Sequence, residues 1–329
     1  MSGPVRDAGR RILITGGAGF LGVNAAVHLI ADGWHVTVLD NLSRPGTERN
    51  LKWLITKHPT RTTFIKDDIR NADAMAEHVK DQDAILHLAG QVAVTTSLAD
   101  PGTDFDVNAR GTLNVLEAVR LQNPEAPFLF ASTNKVYGKL DKNNVACKES
   151  QPIDFHSPYG CSKGAADQYV RDYARCFQMN TVVLRQSCIY GAHQYGTEDQ
   201  GWVAHFVHSI LNDRPLTIYG DGTQVRDLLD ARDLCALYAI AIENIDKTRG
   251  EIYNVGGGPE NQRNLLEVIE QIGEMTGRKP KYSFADWREG DQTYYVSEIT
   301  KAKTDLGWKP QVHFDRGLQD LIAWAETVS

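Results

Sequence analysis

Six short runs of β-branched and aliphatic residues, at 11–15, 35–40, 62–66, 84–88, 128–132 and 181–186, punctuate the first half of the chain, with helical patterns filling the intervals. This alternation predicts parallel strands joined by helical crossovers. The interior runs are apolar throughout instead of alternating, as expected for a sheet covered by helices on both faces. The expected architecture is therefore α/β, a doubly wound parallel sheet. After Tyr190 the regularity weakens. A segment rich in Gly, His, Gln and Tyr spans 191–201, a helical pattern begins at Trp202, and glycines cluster at Tyr219-Gly-Asp-Gly and Gly256-Gly-Gly-Pro259. A large lobe is expected from 1–190 plus about 227–255, and a smaller mixed lobe from about 191–226 plus 256–329. No internal repeat or low-complexity tract is found.

Charge and cysteine content narrow the partners. With 42 Asp and Glu against 35 Lys and Arg, the formal charge of −7 offers no footing for nucleic acid or an anionic membrane surface. The longest apolar run, 234–242, falls short of a membrane span and is closed by Asp233 and Glu243. The opening segment MSGPVRDAGR lacks the apolar stretch of a signal peptide and is expected to be a frayed tail. Five cysteines (Cys147, Cys161, Cys176, Cys188, Cys235), odd in number and without a Cys-x-x-Cys pair, suit reduced thiols in a cytoplasmic protein.

The first strand runs into Thr15-Gly16-Gly17-Ala18-Gly19-Phe20-Leu21-Gly22, with a helical pattern immediately after. Glycines three apart let backbone approach a pyrophosphate at a helix N-terminus, the fingerprint of a Rossmann-type dinucleotide site. Eighteen residues beyond Gly22, the second strand ends in Asp40, whose carboxylate can accept from a ribose 2′-hydroxyl and repel a 2′-phosphate, favouring NAD over NADP. Asp40 could alternatively cap the turn into Asn41-Leu42-Ser43, and the nearby Arg44 could receive a 2′-phosphate. Two more strand ends point into the same crevice, Asp67-Asp68-Ile69 and His87-Leu88-Ala89-Gly90. Asp68 could reach the adenine edge, while Ala89 and Gly90 leave room for ribose and phosphates; plain loop chemistry is the alternative.

Ser157-Pro158-Tyr159-Gly160-Cys161-Ser162-Lys163 opens a helical pattern that puts Tyr159 and Lys163 on one face, one turn apart. An ammonium beside a phenol favours the phenolate, giving a base able to take a hydroxyl proton as hydride leaves the same carbon.

These residues bring the chain to a known family. Gly16-x-x-Gly19-x-x-Gly22, Ser132-Thr133-Asn134-Lys135-Val136-Tyr137-Gly138, Tyr159-x-x-x-Lys163 and Tyr219-Gly-Asp-Gly-Thr-Gln-Val-Arg226-Asp227 resemble the extended short-chain dehydrogenase/reductases, among them nucleotide-sugar epimerases and dehydratases. The resemblance implies NAD as cofactor, Thr133 on the reacting hydroxyl, Tyr159 as base, and Lys163 holding the nicotinamide ribose while tuning Tyr159. It also implies cofactor contacts from Phe20, Leu21, Asn41, Ile69, Leu88 and Asn108. On the substrate side it implies Arg226 and Arg288 on the diphosphate or nucleotide, together with Thr96, Ser97, Asn134, Cys188, Trp202 and Asp291. A homodimer is implied as well, with helices over 101–121 and 157–177 forming a four-helix interface through Leu113, Leu116, Val119, Ala166, Tyr169 and Tyr173. Those apolar stripes suit packing on the sheet equally.

The similar 4,6-dehydratases carry Asp and Glu after the catalytic Thr, an acid and a base for expelling water. Here Asn134 and Lys135 stand there and cannot form that carboxylate pair. Lys135 likewise disfavours the nucleotide-glucuronate decarboxylases. What remains is oxidation, turning of the keto-sugar and re-reduction on the other face. The segments 132–138, 154–168 and 199–203 resemble more narrowly the subgroup acting on CDP-paratose and CDP-tyvelose, which inverts C2 of a CDP-linked dideoxyhexose. A UDP-hexose 4-epimerase and a non-catalytic NAD-binding scaffold are the alternatives; intact Thr133, Tyr159 and Lys163 argue against the scaffold. His205 and His208 stand three apart without a third ligand and are read as structural, with no metal expected. Trp287, Trp308 and Trp324 are read as packing residues, and Trp202 as a wall of the sugar site.

Overall fold

A computed structural model describes residues 9–140, 146–288 and 290–328. Six strands, β1 (Arg11–Thr15), β2 (His35–Leu39), β3 (Thr62–Ile65), β4 (Ala84–His87), β5 (Phe128–Thr133) and β6 (Thr181–Gln186), fall within one residue of the apolar runs that predict them. The remaining strands are β7 (Cys188–Tyr190), β8 (Leu216–Tyr219), β9 (Val225–Asp230), β10 (Ile252–Val255), β11 (Gln262–Asn264), β12 (Tyr282–Ala285) and β13 (Tyr294–Tyr295).

The main sheet is all parallel, ordered β10-β6-β5-β4-β1-β2-β3, so the order reverses between β1 and β4. A crevice beyond the carboxyl ends of the strands at that reversal is where such sheets bind ligands. Successive residues of each strand feed opposite faces. Ile12, Ile14, Val36 and Val38 pack with Ala25, Leu29, Leu234 and Tyr238 on one side. Leu13, Ile85, Phe128 and Phe130 pack with Met75, Val115, Leu116 and Val170 on the other. Helices cover both faces, which is why the strands read as unbroken apolar runs.

Beyond β6 the chain leaves this sheet. β9 pairs with β7, β11 and β13 in a mixed sheet, β12 pairs with β8, and a third apolar cluster around Phe206, Ile218, Phe314 and Leu321 holds this part together. Strand β9 thus belongs to the smaller assembly, and the chain rejoins the main sheet only with the helix Ala231–Glu243, packed on the helix Phe20–Ala31, and with β10.

The two helices expected at a dimer interface differ from expectation. The first is interrupted: Pro101–Phe105, a π-turn at Asp106–Arg110, then Gly111–Gln122. Leu116, Val119 and Ala166 are fully buried within one chain, against the sheet. The apolar side chains left uncovered are instead Phe105 (49% exposed), Leu121 (61%), Tyr169 (49%) and Phe177 (47%).

An ion pair ties β5, β6 and the helix Pro158–Phe177 together. Arg185 grips Asp167 with Nε and Nη2 at 2.9 and 2.8 Å, Ser132 donates to the same carboxylate at 2.6 Å, and Arg185 Nη1 donates to the Tyr137 hydroxyl at 2.9 Å. Both charged side chains are buried. Among the described residues no helix is long and apolar enough to cross a membrane.

Candidate active site

The turn after β1 has the shape a dinucleotide pyrophosphate requires. Gly16 bends with φ +69°, and a Cβ there would stand 2.7 Å from the backbone nitrogen of Ala89, so the end of β4 lies directly on the turn. A Cβ on Gly22 would meet Gly16 O and Gly17 Cα at 2.5 Å, so the helix Phe20–Ala31 docks on the turn without a gap. At Gly19 an added Cβ would meet only Gly16 O, at 3.2 Å. Its bare face leaves the helix N-terminus open to phosphate oxygens.

Asp40 is buried, and its oxygens accept from the backbone amides of Ala18 at 3.1 Å and Leu42 at 2.8 Å. Capping the turn and receiving a ribose are therefore compatible, since each carboxylate oxygen has a second lone pair. Burial pushes its pKa up, and the two amides oppose this. Asp68 folds back on Arg70 (2.9 and 2.8 Å) and Asn41 (2.8 Å), which hold its carboxyl well below the usual range. The Ile69 side chain points into the core against Gly111, leaving only its backbone for a ligand. Leu88 packs beside the first apolar cluster. At Gly90 a Cβ would crowd Asn108 Oδ1 at 2.9 Å and lie 3.8 Å from Lys163 Nζ, so strand end, π-turn and catalytic helix converge there.

Ser157 caps the helix Pro158–Phe177, accepting from Gly160 N at 3.3 Å, and Pro158 opens its first turn. This places Tyr159 in that turn, where its amide donates to Ser97 Oγ at 3.1 Å. The Tyr159 phenol is pushed up to about 12 by burial; a hydrogen bond with the Thr133 side chain opposes this, the Asp104 charge reinforces it and the Arg44 charge opposes it. Lys163 follows one turn on along the same helix. Its Nζ donates to Ala131 O at 2.6 Å over the Phe130 ring, and burial pushes it down to about 7. Burial lowers the pKa of Arg44, weighed above as a 2′-phosphate partner, and the charges of Tyr159 and Asp199 oppose this.

Asp104 is a group the motifs did not single out. Its buried carboxylate accepts from Ser162 Oγ, Gln91 Nε2 (2.7 Å) and Asn108 Nδ2 (3.2 Å), directly behind Lys163 and Tyr159. Its only local signal is the four-residue spacing to Asn108.

A cavity of about 310 Å³ opens beside Thr133 and Tyr159. Asn134, Cys188, Trp202, Arg226, Arg288 and Asp291 line it as expected positions, and Lys135 joins them. The exposed Thr96 and the buried Ser97, engaged with Val94 O and Tyr159 N, do not line it; the lining residues of that helix are Val94 and Thr95, and the buried Thr95 hydroxyl has no partner among the described residues. The side-chain carbonyls of Gln194 and Gln224, two further lining residues, are likewise unpartnered. Burial raises the Cys188 thiol, and a hydrogen bond with Trp202 opposes this. Arg226 donates to Val225 O (2.8 Å), Asp291 (3.0 Å) and Gln292 O, while Arg288 stacks 3.7 Å from the Tyr219 ring and donates to Glu198 at 2.8 Å. Lys135 Nζ lies 3.3 Å from Gly290 O and 3.6 Å from Asp291; burial and Arg226 push it down to about 8, against Asp291.

His208 sits among Tyr195, Trp324 and Gln194 O, and no cluster of three or more His, Cys, Asp or Glu among the described residues could hold a metal ion. Trp308 donates to Asp233 O at 2.9 Å inside the core, whereas Trp287 is 46% exposed over Gly220.

A family model described as GDP-mannose 4,6 dehydratase matches residues 13–321. The chain is 41% identical over 339 residues to a CDP-paratose 2-epimerase of Salmonella typhi, covering 97% of this chain and 100% of that protein. Its structure is similar to that of the UDP-glucose 4-epimerase of Thermus thermophilus in complex with NAD (TM-score 0.87, 32% identity, 97% of this chain and 100% of that one). It is also similar to the UDP-glucuronic acid 4-epimerase of Bacillus cereus in complex with UDP-glucuronic acid and NAD (TM-score 0.88, 29% identity, the same coverage).

Proposed function

The chain belongs to the GDP-mannose 4,6-dehydratase-like family of extended short-chain dehydrogenase/reductases, and from that premise we propose that it is an NAD-dependent nucleotide-sugar epimerase inverting C2 of a CDP-linked dideoxyhexose such as CDP-paratose. The observation that carries the reading is the pair Asn134 and Lys135 lining the cavity beside Thr133 and Tyr159. The Asn134 amide neither gives nor takes a proton, so the two cannot form the paired carboxyl groups that the similar dehydratases use, whereas Thr133 and Tyr159 suffice for alcohol oxidation.

Tyr159 takes the proton of the sugar carbinol, and the Thr133 hydroxyl hydrogen-bonds the same oxygen as it becomes a carbonyl. NAD, when bound in the Gly16–Gly22 turn with Asp40 toward its ribose, supplies a hydride acceptor that later returns the hydride, and its oxidised ring carries positive charge. That charge favours the phenolate, as the Thr133 hydrogen bond and Arg44 do, against the cost of burial. Lys163, fixed on Ala131 O, holds the nicotinamide ribose. Arg226 and Arg288 face the diphosphate or nucleotide.

Incubation with CDP-, UDP-, GDP- and dTDP-sugars in deuterated water, read by NMR, tests this. The expected product is a CDP-sugar inverted at C2 with essentially no solvent deuterium at that carbon, because the departing hydride returns. A 4-keto-6-deoxy product, or stoichiometric deuterium at the inverted centre, would overturn it. Inversion at C4 of a UDP-hexose alone would establish the second reading, which the likeness to UDP-glucose 4-epimerase favours.

The working form is a homodimer in the cytoplasm, supported by the uncovered Phe105, Leu121, Tyr169 and Phe177 and by five free cysteines. Sedimentation at micromolar concentration should give twice the chain mass; a monomer there removes the dimer.

A further inference from the structure

Three cations line the cavity, and two are well occupied by protein acceptors. Arg226 reaches two backbone carbonyls and Asp291, and Arg288 is stacked on Tyr219 and bonded to Glu198. Lys135 differs. Its ammonium carries three donors, yet among the described residues its contacts are a carbonyl at 3.3 Å and a carboxylate at 3.6 Å, the latter beyond a good hydrogen bond. A half-buried cation with loose partners is unfavourable until an anion completes its shell. Its position decides which anion. Lys135 lies two residues beyond Thr133, in the turn Asn134–Tyr137 that continues β5, so its reach begins at the reacting centre itself.

In a sugar nucleotide C1 bears the phosphate oxygen. C2 is bonded to C1, whereas C4 lies across the ring. A sugar presenting C2 to Thr133 and Tyr159 brings its phosphate beside the reacting carbon, and one presenting C4 carries it away. We propose that Lys135 receives the sugar-proximal phosphate and thereby sets C2, not C4, against Thr133 and Tyr159. This rests on the C2-epimerase reading and names the residue that selects the carbon.

Lys135 is charged below about 8, so affinity for a diphosphate should fall as pH rises through that value. Among the described residues the other titratable or charged groups facing it are Arg226, Asp291 and Cys188, whose thiol burial keeps protonated.

The test is calorimetry on the NAD-loaded protein with CDP and CMP, and with UDP and UMP, because only the diphosphates carry the phosphate nearest the sugar. Lys135→Met should weaken the diphosphate by roughly 10- to 100-fold, the range for losing a charged hydrogen bond. It should leave the monophosphate within about threefold, which also reports that the variant is folded. Lys135→Arg should restore most of the diphosphate affinity and abolish its decline above pH 8. Unchanged diphosphate affinity in Lys135→Met, or a wild type that binds neither diphosphate, overturns the proposal. If the variant loses the diphosphate but the wild type inverts only C4, the phosphate contact stands, and the C2 reading and its selection by Lys135 both fall.

Discussion

Replacing Tyr159 by phenylalanine lowers turnover about 10²- to 10⁴-fold, the contribution of a positioned acid/base group, and leaves NAD bound. The substitution removes one oxygen. The ring keeps its packing, the Ser157 cap and the Tyr159 amide bond to Ser97 involve backbone or other side chains, and the Gly16–Gly22 turn is untouched. Only the proton acceptor facing Thr133 is lost. Turnover with the CDP-sugar, beside the cofactor content of the purified variant, separates the two effects. Near-normal turnover would remove Tyr159 as the base, whichever sugar is used; loss of cofactor would assign it a binding role.

Arg185→Met is expected to destabilise the protein by about 3–5 kcal/mol, because it leaves the Asp167 carboxylate buried without its cation. Ser132 alone would remain as a side-chain donor from β5 to that carboxylate. The double variant Arg185→Met/Asp167→Leu should recover most of the loss, since the orphaned charge, not the missing pair, dominates the cost. Denaturant midpoints for the single and double variants check this. A single variant as stable as wild type would mean that water reaches Asp167. The pair also joins β6 to the helix that carries Tyr159, and the same carboxylate holds Ser132 of β5, next to Thr133, so the single variant should lose activity before it unfolds.

The large sheet was legible because its strands are covered on both faces and each reads as a local apolar run, and the glycine turn because its constraints lie within seven residues. Strand β9 was not placed, because Arg226, Asp227 and Asp230 interrupt its pattern and its partners, β7, β11 and β13, lie far along the chain. The stripe Leu116, Val119 and Ala166 had the right period, but periodicity does not say whether a face meets a sheet or a second chain. Thr96 and Ser97 came from the resemblance alone, with no local pattern to fix which side of a six-residue helix meets the cavity, and Val94 and Thr95 line it instead. Asp104 belongs to no spacing rule that separates it from a surface charge, and only tertiary packing brings it behind Lys163. Lys135 stood in view two residues beyond Thr133, but its loose partners, Gly290 O and Asp291, come from far along the chain.

The parallel pairing of β10 with β6 has a consequence for synthesis. β6 leaves the ribosome complete at residue 186, yet the strand that covers its outer edge begins at 252, after the smaller assembly has been started. Throughout that interval the nascent chain presents a finished sheet with a bare, largely aliphatic rim (Thr-Val-Val-Leu-Arg-Gln), the kind of template onto which stray strands add. Order of translation thus makes the last strand of the sheet its seal.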